Sequence, residues 1–261
     1  MKMKLVLIAC AVAISCSVNL EAKKAGLVAH YGSSDSDTRS KTIDRITADI
    51  TEALPDYEVR EAYISPVVRQ RLRKAGEMIE SPTEALLRLR ADGYDTVYVQ
   101  STTLIDGAEM AEVRNACDAT ARFFSLLKCG EPLCYTPDDC EELVAVLAEE
   151  PRVKDEAVVY VGHGNMLPST ATYCQLDYML AAQGHDGYHV STIEGYPTAE
   201  STITELKRDG KRVKRAKLVP LLLVCGNHTK NDIAGEYAQT LNKDGIATEV
   251  IMRVLGENPA V

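Results

Sequence analysis

The chain has 261 residues, eight cysteines, no tryptophan and a formal charge of −9, too long for a disulfide-held mini-protein and sized for one large domain or two small ones. A hydrophobic share of 46% and a charged share of 26% are those of an ordinary globular protein and exclude collagen-like, low-complexity and disordered acidic classes. The acidic balance argues against general nucleic-acid binding, which wants a basic footprint.

Residues 1–22 place Lys2 and Lys4 before an apolar stretch, Leu5–Ile14, and then small or polar residues up to Ala22. This reads as a secretory signal peptide, too short for a spanning helix, with cleavage after Ala22. Cys16, preceded by Ala13-Ile14-Ser15, is a looser match to a lipoprotein site. The expectation is an exported, periplasmic protein, either soluble or lipid-anchored through Cys16. Losing the segment removes two lysines and Glu21, so the remainder carries −10. It keeps Cys117, Cys129, Cys134, Cys140, Cys174 and Cys225. Export permits oxidation, and one or two disulfides fit the close group 117, 129, 134 and 140, with the pairing open. The spacing has no CxxC, which argues against a zinc site there.

Strand and helix patterns then alternate. Gly26–His30 is an apolar strand. Thr38–Leu54 is a helix with Ile43, Ile46, Ile50 and Leu54 on one face and Pro55 as its stop. Tyr57–Tyr63 is a strand. Ser65-Pro66 and Ser81-Pro82 each read as a helix cap followed by proline, and Glu84 completes a capping box with Ser81. Thr96–Gln100 is a strand and 107–128 a helix. Thr136-Pro137 opens a helix running to Glu149. Strands at Ala157–Val161, Tyr188–Ile193, Lys217–Val224 and Thr248–Met252 alternate with helices at 171–183, 198–209 and 230–241. Such alternation predicts an α/β fold with parallel sheets covered on both faces, that is, doubly wound.

A weak internal duplication refines this. Leu27–Ser34 echoes Val158–Asn165, and Val97–Gly107 echoes Leu218–Gly226. The expectation is two similar lobes with an interlobe cleft. They span 23–140 and 141–261, and the last segment packs back on the first lobe. Ligands in such sheets bind beyond the carboxyl ends of strands.

Three strand-end turns carry metal-capable side chains: His163 in Gly162–Asn165, Glu194 in Ile193–Pro197, and His228 in Cys225–His228. Flanking glycines let the backbone turn tightly around His163. Two imidazoles and a carboxylate suit a divalent first-row metal with open positions, and neutral histidine is a base near pH 7. A single histidine after a strand is more often structural; three such groups at three strand ends bring the odds level. His30 is read as an edge or core histidine. His185 and His189 are read as surface residues of a turn. The run 207–217 is strongly basic and is read as a solvated helix end and loop. Gly32–Asp37 lacks the lysine and spacing of a phosphate loop, and no nucleophile elbow is present.

GHGN (162–165), TIEGYP (192–197), LVPLLLVCGNHTKNDIAGE (218–236) and LGENPA (255–260) resemble the anaerobic sirohydrochlorin cobalt chelatases, a ferrochelatase-like class of tetrapyrrole chelatases. YGSSDSDTRSKTIDRITADI (31–50) and PDYEVREAYIS (55–65) agree, so the resemblance covers nearly all of 25–261. It implies a two-lobed chelatase fold, with His163, Glu194 and His228 as metal ligands and catalytic residues. The implied reaction inserts Co²⁺ into sirohydrochlorin or a related tetrapyrrole and releases two pyrrole protons. Co²⁺ is then a substrate metal, with Ni²⁺, Fe²⁺ and Zn²⁺ also accepted by such ligands, and no organic cofactor is implied. The partners are a tetrapyrrole and a divalent metal, with no nucleic acid, and a homo-oligomer stays open. The sequence departs from the pattern at Thr103, where exported relatives can carry a haem-ligating histidine, and at Asn227, where aspartate is usual. Those departures keep two alternatives: a periplasmic haem, tetrapyrrole or metal carrier on the same scaffold, and a haem dechelatase. Arg39, Lys41, Ser33 and Ser34 are candidate donors to substrate carboxylates, and Tyr31, Met166 and Tyr196 candidate cleft walls.

Overall fold

The computed structural model describes residues 23–208, 213–224, 226 and 231–258. Residues 1–22, read above as a signal peptide and including Cys16, lie outside the described residues, as do Cys225, Asn227 and His228.

Two four-stranded parallel sheets carry the chain. The first is built from β1 (Lys23–His30), β2 (Glu58–Tyr63), β3 (Tyr94–Ser101) and β4 (Leu126–Cys129), in the order β2-β1-β3-β4. The second is built from β5 (Glu156–Gly164), β6 (Tyr188–Glu194), β7 (Arg215–Pro220) and β8 (Ala247–Val250), in the order β6-β5-β7-β8. The order is the same in both, and the strands that echo one another in sequence hold equivalent places: β1 with β5, β3 with β7. The central strands read as near-continuous apolar runs because both faces are covered. Ala157, Val158, Val159 and Val161 of β5 are fully buried.

The helices are α1 (Ser36–Lys41), α2 (Ile43–Ala53), α3 (Pro66–Lys74), α4 (Pro82–Ala91), α5 (Ala108–Thr120), α6 (Pro137–Leu147), α7 (Ala171–Ala182), α8 (Ala199–Arg208) and α9 (Ala238–Lys243), the last preceded by a π turn at Ile233–Tyr237. Capping starts several of them. Ser65 accepts the Val68 N–H with Pro66 next in line, and Ser81–Glu84 and Thr136–Asp139 form complete capping boxes. On the second sheet, α6 and α7 cover one face through Leu143, Val144, Leu176 and Leu180. The other face is covered by α8 and α9 through Ile203, Leu206 and Leu241. On the first sheet, α4 and α5 cover one face through Leu86, Leu89 and Val113.

The carboxyl ends of the two sheets meet at an apolar seam. Ile46, Leu104 and Ile105 from the first half pack with Leu221, Leu223 and Leu255 from the second, and Val224 packs on Ile43 and Tyr63. Arg45 fastens the last segment with Nη2 donating to Gly256 O at 2.7 Å and Asn258 O at 3.0 Å.

Three elements differ from the sequence pattern. The predicted strand 217–224 ends at Pro220. Leu221 N still bonds Val161 O at 2.9 Å, but the chain then leaves the sheet, and Leu221, Leu223 and Val224 fill the seam, which is why they are apolar. The predicted helix 107–128 stops at Thr120, and β4 comes next in the sheet. There the Asp95 carboxylate takes the Ser125 N–H at 3.1 Å and its hydroxyl, drawing the chain onto β3 as an edge strand too short to show alternation. The predicted helix from Thr38 breaks at Thr42, which is fully buried, takes φ −125°, ψ −76° and bonds its hydroxyl back to Thr38 O at 2.7 Å. Cys134 and Cys140 form a disulfide, while Cys117, Cys129 and Cys174 are free thiols. Among the described residues no helix is long and apolar enough to cross a membrane.

His30 ends β1 and is fully buried, with Nδ1 3.1 Å from Thr102 Oγ1 and Nε2 3.0 Å from Thr47 Oγ1. Burial lowers its pKa from 6.5 to about 4. Between those values the unfolded chain holds a proton that the folded one refuses, so stability falls as pH drops from 6.5 toward 4. The full loss is about 3 kcal/mol. Burial raises the Asp177 carboxyl to about 6, which acts with the opposite sign over the same range. In urea unfolding the parent is therefore expected to lose more stability than His30→Gln as pH falls from 6.5 toward 4.

Candidate functional site

The site is built on the carboxyl end of β5 and its neighbours. His163 is the penultimate residue of β5 and is exposed between buried Gly162 and Gly164. Glu194 is the last residue of β6, also exposed, and is paired in register with Gly164. Neighbouring strands lie about 4.8 Å apart, so the register brings His163 and Glu194 to the carboxyl end of adjacent strands, His163 one position before the Gly164–Glu194 pair. On the other side of β5, β7 leads into the segment that carries His228, which lies outside the described residues.

Glycine makes this geometry. Gly164 has φ +75°, and a Cβ there would sit 1.7 Å from Glu194 O. A Cβ on Gly195, at φ +89°, would sit 2.4 Å from Asn165 O. At Gly162 the obstacle is Tyr173, whose Cε1 would be 2.3 Å away. Tyr173 is buried beneath the turn, and burial pushes its phenol up to about 12 despite a backbone hydrogen bond with Gly164. It therefore stays neutral and serves as a floor.

Hydrogen bonds fix the two turns. Asn165 Oδ1 accepts the Leu167 N–H at 2.8 Å. Pro197 O accepts from Thr192 N at 2.8 Å, Thr192 Oγ1 at 2.9 Å and Ser191 Oγ at 3.1 Å. Thr170 Oγ1 reaches Tyr196 O at 3.4 Å and so links one turn to the other. Thr170, Tyr173 and Ser191 carry no motif that marks them in the sequence, while Thr192 opens the TIEGYP stretch. Their signal is indirect, in glycines whose need for close approach implies bulky neighbours.

His163 Nδ1 lies 3.1 Å from Gly164 O. A carbonyl only accepts, so Nδ1 carries the proton and Nε2 presents its lone pair. That tautomer gives the imidazole one atom able to bind a metal or take a proton. With Glu194, the edge offers a nitrogen and a carboxylate, a donor set suited to a borderline divalent ion.

The other sequence candidates divide. Tyr31, Met166 and Tyr196 are 49%, 86% and 54% exposed and follow β1, β5 and β6. Arg39 is engaged by Glu77 through two bonds, of 2.6 and 3.3 Å, and Lys41 by Asp37 at 2.7 Å, so neither is a spare cation. The Ser33 hydroxyl is buried and accepts the Asp35 N–H at 3.2 Å, while Ser34 is exposed. Thr103 is held by Ser101 Oγ at 3.1 Å. His189 is no turn residue: it sits within β6 with its side chain only 20% exposed.

Residues 24–261 match the cobalt chelatase (CbiK) family. The chain is 33% identical over 246 residues to a sirohydrochlorin cobaltochelatase of Salmonella typhimurium, covering 92% of each. It is 34% identical over 244 residues to the sirohydrochlorin cobaltochelatase CbiKC of Nitratidesulfovibrio vulgaris, covering 90% of this chain and 85% of that one. In fold it is similar to the sirohydrochlorin chelatase SirB from Bacillus subtilis subspecies spizizenii in complex with cobalt, with a TM-score of 0.63, 14% identity, and coverage of 91% and 90%.

Gly164→Ala tests the constraint beneath the site. Its added methyl meets backbone as well as an unfavourable φ, whereas Gly93, at φ +89°, has open space around it. Urea unfolding is expected to show a loss of about 1 kcal/mol for Gly93→Ala and more than about 3 kcal/mol for Gly164→Ala.

Proposed function

We propose, from the premise that the chain belongs to the cobalt chelatase (CbiK) family, that it is a sirohydrochlorin cobaltochelatase. The observation that supports this reading is the β5–β6 register, in which Glu194 pairs with Gly164, the residue after His163, so that two exposed metal-capable side chains stand at the carboxyl ends of adjacent strands.

In this reading Co²⁺ is a substrate. It is held by His163 Nε2, the Glu194 carboxylate and His228, a set that leaves coordination positions for incoming pyrrole nitrogens. As the ion passes to the macrocycle, two N–H bonds break and their protons leave, so the dication is exchanged for two protons. A freed imidazole is a base of suitable strength to take one of them. Glu194 offsets the charge of the ion while it is bound. The exposed rings of Tyr31 and Tyr196 and the Met166 side chain offer flat or soft surfaces to a planar tetrapyrrole. The ligand types accept Ni²⁺, Fe²⁺ and Zn²⁺ as well.

We also propose that the protein is exported to the periplasm. The composition of residues 1–22 supports this, and the Cys134–Cys140 disulfide accords with an oxidising compartment. Cell fractionation is expected to place the full chain in the periplasm or at a membrane and a chain lacking 2–22 in the cytoplasm. Loss of membrane association in Cys16→Ser would identify a lipid anchor.

The decisive assay is anaerobic mixing of the protein with sirohydrochlorin and Co²⁺, monitored by absorption. Many turnovers are expected in the parent and at least a ~100-fold loss in His163→Ala and His228→Ala. A spectral shift that stops at one tetrapyrrole per chain, without insertion, would overturn the enzyme reading in favour of a carrier.

A further inference from the structure

Among the described residues, one group of three metal-ligating side chains lies away from the strand-end turns. Asp177 on α7, His189 on β6 and Glu205 on α8 each bring a ligand atom within 4.8 Å of the others. His189 Nδ1 is 3.9 Å from Asp177 Oδ1 and 4.0 Å from Glu205 Oε2. These separations are too long for hydrogen bonds. Atoms held about 2.1 Å from one tetrahedral ion lie roughly 3.4 Å apart, so side-chain movements on the order of 1 Å would close the group around a cation.

The surroundings favour this. The Asp177 carboxylate is oriented from β6, with Oδ1 accepting the Val190 N–H at 2.7 Å. Asp177 and His189 are 19% and 20% exposed and Glu205 35%, so the group is sheltered yet reachable. Arg208 stands 3.8 Å from Glu205 Oε1, the oxygen turned away from His189, and leaves Oε2 to the group. Two carboxylates thus share a partly desolvated pocket with an imidazole, where a divalent cation would neutralise both. Cys174 lies one helical turn before Asp177, and the charges of Asp177 and Glu205 reach its thiol. That sulfur, 3.8 Å from Tyr196 O, is a softer donor at the border of the group.

The location separates the group from the strand-end turns. His189 precedes Glu194 by five residues of β6, or roughly 16 Å at the rise of a strand. β6 is the edge strand, and α7 and α8 pack on opposite faces of its sheet. One ion there would join both helices to the edge.

We propose that Asp177, His189 and Glu205 form a second divalent-cation site, for a borderline ion such as Zn²⁺ or Co²⁺, which clamps α7 and α8 onto β6. The nitrogen and two carboxylates suit these ions better than Ca²⁺ or Mg²⁺, which prefer all-oxygen shells.

The test uses the full chain carrying His163→Ala, which removes one ligand of the strand-end site. Equilibrium dialysis with Zn²⁺ and with Co²⁺ is expected to retain one ion per chain. Adding His189→Gln or Glu205→Gln should weaken retention at least ~10-fold and abolish the Zn²⁺-induced rise in Tm. Glu205→Gln is the conservative change at a partly exposed position, and circular dichroism without metal checks that each variant is folded. The proposal is overturned if the His163→Ala chain retains no ion, or if its affinity is unchanged in both His189→Gln and Glu205→Gln. In the parent, loss of a bound ion through His163→Ala alone reports on the strand-end site, so the two readings fail separately.

Discussion

The close approach of two backbones at the end of β5 and β6 governs the rest of the site. The α-carbon of Gly164 faces Glu194 O with no room for a methyl group, and Gly195 faces Asn165 O in the same way. Only glycine accepts both the contact and the positive φ. The contact joins the turn that presents His163 to the turn that presents Glu194, so neither can shift alone. Tyr173 below Gly162 and the Pro197 carbonyl, which gathers three donors, hold that joint from beneath and from the side. Precision is thus vested in buried, uncharged groups, and His163 and Glu194 remain exposed.

The duplication makes the same point by contrast. β1 and β5 are both central strands, and each ends near a histidine. His30 is sealed between Thr47 and Thr102 and kept neutral by burial. His163 has glycines on either side and projects outward. One topology has therefore yielded a structural imidazole in the first half and an available one in the second. The difference lies in the flanking segments. The first half closes over its histidine with α2 and the Thr102 turn, while the second opens with Gly-His-Gly.

Much of this is legible in the residues. The alternation of patterns indicates the α/β class and the parallel sheets, and the Ser81–Glu84 pair marks a helix start that the structure bears out. The strand-end positions of His163 and Glu194 are readable because a strand run leads into each and glycines flank them. Legibility fails where burial serves something other than regular structure. Leu221, Leu223 and Val224 look like strand because they are apolar, yet they are apolar for the seam. β4 escapes the pattern because four residues cannot display a period, and its place is set by Asp95, 30 residues before Ser125. The engagement of Arg39 by Glu77 is equally hidden, since the partners are 38 positions apart. His189 reads as a turn residue because its group is assembled from three elements, and no local spacing joins 177, 189 and 205.

Exposure separates the two metal-capable regions of the second sheet by what each can do. An ion destined for transfer has to be held by few ligands and leave by a path the incoming ring can share. In the proposed reading His163 and Glu194 would meet that need, because both are exposed at the carboxyl ends of their strands. A closed shell would bind more tightly and release more slowly, and the tetrapyrrole would have to displace every ligand at once. Asp177, His189 and Glu205 are arranged the other way, sheltered between two helices and a strand, with the Asp177 carboxylate fixed by backbone. Such a place favours an ion that stays. On the two proposed assignments, β6 would carry transfer-type chemistry at its carboxyl end and retention-type chemistry at its amino end, with the pleated strand between them keeping the two roughly 16 Å apart.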